Sequence, residues 1–237
     1  MKIGELVGAG RTADVFALDD GRVLRRYRGG DDTTGEVAVM AYLAEHGFPV
    51  PAVWPGPAAG ELVMQRLSGT TMVDALINGA ITPEQAGEIL AELLQRLHKI
   101  PARLSADPGH RVLHLDFHPE NVMLTPQGPM VIDWATAAEG RPGLDSAMAA
   151  LILAQAARTM PAVTVAARAV LSSLLRHLGG IDEGHLAEVR TRRAADPTLS
   201  PQEVGKLDEA VALITETSGS WRTPLIAGGG VRPPSAA

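Results

Sequence analysis

The first part of the chain alternates short apolar runs with turn-forming residues. Ile3 to Val7, Val15 to Leu18 and Val23 to Tyr27 are separated by a glycine-containing loop and by Asp19-Asp20-Gly21. Short runs split by Asp-Gly suit strands joined by a tight connection, so this stretch predicts an antiparallel sheet. The period then changes. Thr33 and Glu36 stand at capping-box spacing, and Val37, Met40, Ala41 and Ala44 recur at helical intervals until Gly47, which predicts one helix inserted into the sheet. A proline-rich passage from Pro49 to Pro57 leads to a further apolar strand, Glu61 to Leu67, and Ser68-Gly69 follows as a candidate hinge.

Beyond that hinge the helical period takes over. Thr82-Pro83-Glu84-Gln85 combines a cap, a first-turn proline and a capping-box partner, and Ile89, Leu90, Leu93, Leu94 and Leu97 make one apolar stripe that ends at Pro101. Val112-Leu113, Val122 to Thr125 and Met130 to Ile132 are expected short strands, the last two joined by a Pro126-Gln127-Gly128 turn. From Leu144 onward the pattern predicts helices over residues 144–158, 161–178, 181–194 and 201–217. The expected organisation is α+β in two lobes: residues 1–67 with the sheet and one helix, residues 68–222 mostly helical, and a tail, 223–237, expected to be disordered.

Composition narrows the function. The 237 residues are 46% hydrophobic, enough for one sizeable core or two small lobes around a cleft. There is no cysteine, which excludes disulfide scaffolds and Cys-ligated zinc. A formal net charge of -6 argues against nucleic acid as partner and mildly favours a cationic or neutral substrate. The start, Met1-Lys2-Ile3-Gly4-Glu5, lacks the apolar run of a signal peptide. The most apolar helix, around Ala147 to Ala157, is short for a bilayer and carries Gln155, so a soluble, cytoplasmic protein without a membrane partner is expected. Nothing in the sequence specifies an oligomeric state.

The chemistry is concentrated in His114-Leu115-Asp116-Phe117-His118-Pro119-Glu120-Asn121, set between two expected strands, and in Val131-Ile132-Asp133-Trp134. These segments resemble the kinase catalytic loop H-R-D-x-x-x-x-N and the magnesium-binding D-F-G. Phosphoryl transfer needs a carboxylate to orient and deprotonate the attacking hydroxyl, and oxygen ligands to hold metal on the phosphates. Asp116 fits the first role, and Asn121 and Asp133 fit the second. A hairpin through Pro126 to Gly128 would return Asp133 beside Asn121. For Asp116 alone, a turn or capping role is the competing reading.

The same resemblance assigns further residues. Val7-Gly8-Ala9-Gly10-Arg11-Thr12-Ala13-Asp14-Val15 follows the phosphate-covering loop G-x-G-x-x-G-x-V, with Gly8 and Gly10 kept and Ala13 in place of the third glycine. A plain hairpin turn is the alternative there. Kinases pair a strand cation with a helix glutamate to hold phosphates; Arg25 and Glu36 occupy those places, with Arg26 as a rival and arginine as a departure from the usual lysine. Glu36 could instead serve only as a capping-box residue or in a solvated pair. Gln65 would offer adenine a carbonyl and Leu67 an amide, with Met64 lining the back. His118 is placed to touch the transferred phosphate, or is structural. His114 is expected to pack near Trp134 and brace the loop. Asp145 is expected either to cap a helix or to hydrogen-bond the catalytic-loop backbone.

His-x-Asp-x-His-Pro-x-Asn followed by Ile-Asp-Trp is similar to the aminoglycoside phosphotransferase and related small-molecule kinase family, over roughly residues 3 to 155. No Ala-Pro-Glu segment follows Asp133, which argues against peptide substrates. The resemblance implies a protein-kinase-like two-lobed fold, ATP and Mg2+ as cofactors, and a hydroxyl-bearing small molecule as acceptor. Such families act on aminoglycosides, macrolides, choline, homoserine and sugar-like amines, so the acceptor itself is not implied. Asp182, Glu183, Glu203, Asp208 and Glu209 could line a pocket for a polyamine-like antibiotic or form solvated helix faces. The competing functional readings are an ATP-binding pseudokinase acting as a regulator or scaffold, motivated by the arginine on the strand, and a helical interaction protein.

Overall fold

A computed structural model describes residues 2–19 and 21–222 of the chain. The expected tail, and Asp20 in the first tight turn, therefore lie outside the described residues.

The strands β1 (Leu6–Ala9), β2 (Ala13–Asp19) and β3 (Arg22–Tyr27) form a meander. The helix α1 (Thr34–Glu45) follows, then β4 (Val53–Pro55) inside the proline-rich passage and β5 (Glu61–Gln65). All neighbours pair antiparallel in the order β1-β2-β3-β5-β4. The expected Thr33–Glu36 capping box does not form: the Thr33 hydroxyl donates instead to the Glu61 carbonyl, and the Glu36 carboxylate turns inward. That glutamate finds stronger donors in the interior than the exposed amide at a helix start.

The chain then passes through β6 (Thr70–Thr71) into α2 (Met72–Ile77) and α3 (Pro83–Leu97). Gly69 precedes β6 with φ +145°, and a Cβ there would run into the Leu124 carbonyl, so this glycine serves a close backbone approach. Thr82 and Gln85 form the expected capping box. Next come β7 (Arg111–Leu113), a single helical turn at 119–121, β8 (Val122–Thr125), β9 (Gly128–Val131) and β10 (Ala138–Gly140). β6, β8 and β9 form a small antiparallel sheet, and β7 pairs with β10. The last segment is helical: α4 (Pro142–Thr159), α5 (Thr164–Leu178), α6 (Glu183–Ala194), α7 (Pro201–Val204) and α8 (Leu207–Arg222). One expected helix, 201–217, is thus two. Gly205 and Lys206 close the end of α7 by donating to the Pro201 and Glu203 carbonyls, and the chain restarts so that Leu207, Ala210, Leu213 and Ile214 are buried. The burial of that stripe outweighs the continuity of one helix through a glycine.

Helix α4 is the axis of the second lobe, packed by α5, α6 and α8, while α3 lies along α5. The α3–α5 contact is close because Gly87 has no side chain: a Cβ there would collide with Ser173 Cβ and with the Val170 carbonyl oxygen. Gly87→Ala is expected to lower stability by about 1–3 kcal/mol by overpacking, despite the gain in helix propensity. Chemical denaturation would show it as a lower midpoint with an unchanged slope. Among the described residues, no single helix is long and apolar enough to cross a membrane.

Candidate active site

The catalytic-loop candidate runs between β7 and β8, and its backbone is held in an uncommon shape. Leu115 (φ +62°) and Asp133 (φ +64°) are the non-glycine residues with positive φ among the described ones. Side chains with a Cβ resist this conformation, at a cost of about 1–3 kcal/mol each, so it persists only where the surroundings over-determine it.

Those surroundings are visible. Asp145, in the first turn of α4, is wholly buried; its Oδ1 accepts from the Leu115 amide at 2.8 Å and its Oδ2 from the His114 amide at 3.0 Å. His98, just after α3, adds a contact from Nε2 to Oδ2 at 3.1 Å. Burial alone would raise the Asp145 carboxyl, but the His98 hydrogen bond and charge, with the amide donors, hold it below the usual carboxylate range. Asp145 therefore braces the loop backbone from inside the helical lobe, one of the two roles expected for it.

His114 is also fully buried, 4.5 Å from the Trp134 ring and 5.4 Å from that of Phe117 by centroids. Its Nδ1 accepts from the Asp116 amide at 3.2 Å and its Nε2 donates to the Ile132 carbonyl at 3.0 Å, an arrangement that fits the neutral ring. Burial lowers its pKa and keeps it neutral. One imidazole thus ties the backbone of Asp116 to the residue before Asp133. Thr136 adds a hydroxyl bond to the His114 carbonyl at 2.8 Å.

Asp116, Asn121 and His118 meet on this frame. Asn121 Nδ2 donates to the Asp116 carbonyl at 2.8 Å and to its Oδ2 at 3.2 Å, and it lies 3.2 Å from His118 Nε2. His118 Nε2 is 3.4 Å from Asp116 Oδ2. Burial works to raise the Asp116 carboxyl, yet the hydrogen bond and charge of His118, with Arg193 adding to them, bring it down to about 2. It is a carboxylate at any working pH. Asn121 also accepts from the Ile132 amide through its own carbonyl at 3.0 Å, which sets Asp133 next to it as β8 pairs with β9. With its Nδ2 turned to Asp116, Asn121 keeps Oδ1 without a partner among the described residues. Asp133 likewise keeps Oδ2, because Arg25 engages Oδ1. These are hard oxygen donors of the kind Mg2+ takes, alongside phosphate oxygens and water.

Strand alternation separates the two arginines of β3. Arg25 lies on the face toward α1 and Asp133, over the Tyr27 ring at 4.7 Å; its Nη2 donates to Asp133 Oδ1 at 2.6 Å and its Nη1 to Glu36 Oε1 at 3.2 Å. Arg26 points to the other face, where it bonds Glu61 at 2.6 Å and covers the Phe16 ring. Burial opposes the Arg25 charge, but Asp133 and Glu36 more than offset it and raise its pKa. Glu36 accepts in addition from the Tyr27 hydroxyl at 2.7 Å and the Trp134 amide at 3.3 Å. One glutamate therefore joins β3, α1 and the segment after Asp133.

Gly8 pairs with Val15 in the β1–β2 hairpin, and the Gly10 amide donates to the Ala13 carbonyl, so the loop between them is a compact turn. Gln65 ends β5 with its amide given to the Ala52 carbonyl, while the Leu67 amide has no partner among the described residues. Two contacts were not legible as local motifs. Arg11, in the hairpin loop, donates to the Thr198 carbonyl and hydroxyl at 3.3 and 3.4 Å, which ties the first lobe to the turn after α6. Arg193, at the end of α6, brings Nη1 to 3.8 Å from Asp116 Oδ1. Neither lies near its partner in sequence, and only the folded helices bring them there.

A sequence model of the phosphotransferase enzyme family matches residues 4–111 and 101–182. No curated protein matches the chain. Among solved structures, a candidate aminoglycoside phosphotransferase from Ralstonia eutropha superposes with a TM-score of 0.58 at 14% identity, with 92% of each chain covered. A choline/ethanolamine kinase family protein from Mesorhizobium loti gives 0.56 at 15%, covering 93% of this chain and 92% of that one. The ADP-bound aminoglycoside phosphotransferase APH(2'')-Ib gives 0.55 at 13%, covering 92% and 95%. Identities this low establish the two-lobed, kinase-like fold and nothing finer. The family match reaches from residue 4 to residue 182 of 237, most of the chain. On that ground, this chain belongs to the phosphotransferase enzyme family.

Proposed function

We propose that this small-molecule phosphotransferase moves the γ-phosphoryl group of ATP, with Mg2+, to a hydroxyl of its acceptor. The observation that carries this reading is that Asn121 bonds Asp116 through Nδ2 and the residue before Asp133 through its carbonyl, while Asn121 Oδ1 and Asp133 Oδ2 keep no partner among the described residues and Arg25 holds Asp133 Oδ1. Solved structures of this fold hold ADP, GDP or AMP-PNP, which supports a nucleotide in the same cleft.

In the reaction, Asp116 accepts a hydrogen bond from the acceptor hydroxyl and fixes its direction of attack. The new bond joins the acceptor oxygen to the γ-phosphorus, the bond from that phosphorus to the β–γ bridging oxygen breaks, and ADP leaves. The hydroxyl proton passes to Asp116 as the transfer proceeds. With a carboxyl held at about 2, Asp116 is a weak base, so its main contribution is orientation, with proton capture late. Asn121 Oδ1 and Asp133 Oδ2 would hold Mg2+, which supplies neutralisation of the developing phosphate charge. Arg25, fixed by Glu36, would donate to the phosphates, and His118 would donate to the transferred group. Gly8 and Gly10 would let loop amides approach the phosphates, and the Gln65 carbonyl and the open Leu67 amide would receive adenine. The residues divide at the Ser68-Gly69 hinge into a nucleotide-binding lobe, 1–67, and a catalytic and acceptor lobe, 68–222. Nothing in the comparisons supports the pseudokinase reading.

The test is a thermal shift with ATP or GTP and Mg2+, joined to a mass-spectrometric screen for phosphorylated acceptors. A ligand at a hundredfold excess over its Kd stabilises by about 2.7 kcal/mol, which for a chain of this size raises Tm by about 5 °C or more. Arg25→Ala is expected to lose most of that ATP-induced rise, and Arg26→Ala to keep it. The reverse pattern would move the phosphate-holding role to Arg26. The absence of any nucleotide-induced shift in the unmodified protein would end the kinase reading.

A further inference from the structure

One side chain of the helical lobe stands against the Asp116 carboxylate. Arg193 has Nη1 at 3.8 Å from Asp116 Oδ1 and, besides the catalytic-loop His118, is the cation paired with Asp116 among the described residues. Its place is built rather than incidental. Nε donates at 3.2 Å to Oε1 of Gln155, a side chain of α4 that is only 4% exposed and whose Nε2 reaches the Glu203 carbonyl at 3.4 Å. Nη1 also lies 3.4 Å from Asp196 Oδ2, and Asp196 Oδ1 is held by the Thr198 amide and hydroxyl. Arg193 itself is mostly buried, and Nη2 has no partner among the described residues. A guanidinium with Nε and Nη1 anchored and Nη2 open can give one charge-assisted hydrogen bond to a carboxylate or phosphate.

Of the five acidic side chains weighed for a polycationic acceptor, four are engaged by neighbours, while Glu183, in the first turn of α6, is exposed. Asp182 caps α6 by accepting from the His185 amide, and Glu203 closes a capping box with Ser200. Asp208 takes Arg190 at 3.0 Å, and Glu209 takes Lys206 at 2.7 Å. Beside Asp116 the acceptor would meet the Arg193 guanidinium, whose Nη1 also faces Asp196 and whose Nη2 is open among the described residues.

We propose that Arg193 binds an anionic group of the acceptor, a carboxylate or a phosphate, a few bonds from the hydroxyl that Asp116 orients. The acceptors are then hydroxy acids or phosphorylated alcohols in place of polyamines. This rests on the reading of the site as a phosphotransferase centre and narrows it to an acceptor class.

The experiment is a matched acceptor panel with ATP and Mg2+, read by product mass and by ADP release. It holds hydroxy acids, monophosphorylated diols, neutral polyols of the same skeletons, amino alcohols and aminoglycosides. Hydroxy acids or monophosphorylated diols are expected to be the best acceptors, and whichever wins identifies the anion. Arg193→Gln is expected to cut the ratio of kcat/KM for the anionic acceptor over its neutral analogue by about 10- to 100-fold, the loss of one charge-assisted hydrogen bond. The change should come mainly through KM, and Arg193→Lys should restore part of it. An ATP-induced thermal shift in each variant confirms a folded, nucleotide-competent protein. Preference for an amino alcohol or aminoglycoside, or turnover of no panel member by a protein that binds ATP, overturns the inference. So does an equal loss on every acceptor in Arg193→Gln, which would assign Arg193 to the transferred phosphoryl group. A protein that binds no nucleotide, or whose ADP release survives Asp116→Asn, overturns the underlying phosphotransferase reading instead.

Discussion

Replacing Asp116 by asparagine is expected to slow phosphoryl transfer by about 10²- to 10⁴-fold while leaving the ATP-induced thermal shift in place. Asparagine keeps the shape, so its amide oxygen can still accept from Asn121 Nδ2, which now reaches Asp116 Oδ2 at 3.2 Å. While His118 still faces the end kept as oxygen, the other end then presents an NH2 group where Arg193 now faces Oδ1. It offers no negative charge and no place for the hydroxyl proton. Orientation and proton capture are lost together, whereas Arg25, Asn121 and Asp133 remain to hold the nucleotide. Single-turnover measurement of product at saturating ATP separates the two effects. Unchanged turnover would remove Asp116 from the reaction. Because Asp116 is held at about 2, the activity of the unmodified protein should show no acid limb from this group above pH 4.

The site was legible in sequence as far as its residues sit in short segments. The spacing from Asp116 to Asn121, and the turn that returns the chain to Asp133, are local features, and the β8–β9 hairpin places them as that spacing requires. On paper Arg26 stood as a rival to Arg25; strand alternation puts them on opposite faces, but that is visible only once the faces of β3 are known to look at α1 and at Glu61. For Glu36 a capping role was the competing reading. Its burial between Arg25, Tyr27 and Trp134 depends on Trp134, 98 positions away, which no local pattern contains. The same holds for Arg193 and for the clasp of Arg11 on Thr198, whose partners are separated by 187 positions. Fold elements divide similarly. The long amphipathic stripe of α3 was plain, whereas α2, β4 and β10 are too short to develop a period and owe their form to their neighbours. The break between α7 and α8 was hidden because apolar residues recur at helical spacing on both sides of Gly205.

The largest loss of stability is expected from Asp145→Ala, about 3–5 kcal/mol, as when one partner of a buried charged pair is removed. The carboxylate is wholly buried and accepts from the His114 and Leu115 amides and contacts His98 Nε2. Alanine would leave all of these polar groups in a dry interior without their partner, and would release Leu115 from the left-handed conformation it now holds. For a chain of this size the cost corresponds to a Tm lower by about 6–20 °C. Activity should fall further than stability predicts, since the released backbone carries Asp116. Asp145→Asn should fall between, because one amide oxygen can still serve one of the two amides while its NH2 opposes the other. The pH dependence follows from the sign of the shift. The folded carboxyl lies below the ordinary value near 4, so its contribution is complete above that pH and is lost as pH falls through the folded pKa. His114 acts in the same direction from a higher pH: its folded pKa is lowered, so acid below about 6.5 favours the unfolded chain, where the ring can charge freely. The unmodified protein should therefore lose stability in two acid steps, an upper one from His114 and a lower one to which Asp145 and Asp116 both contribute, and Asp145→Ala should show a smaller lower step. Urea midpoints measured from pH 7 to pH 3 would resolve the steps, and an Asp145→Ala protein whose lower step is undiminished would show that Asp145 does not contribute to it.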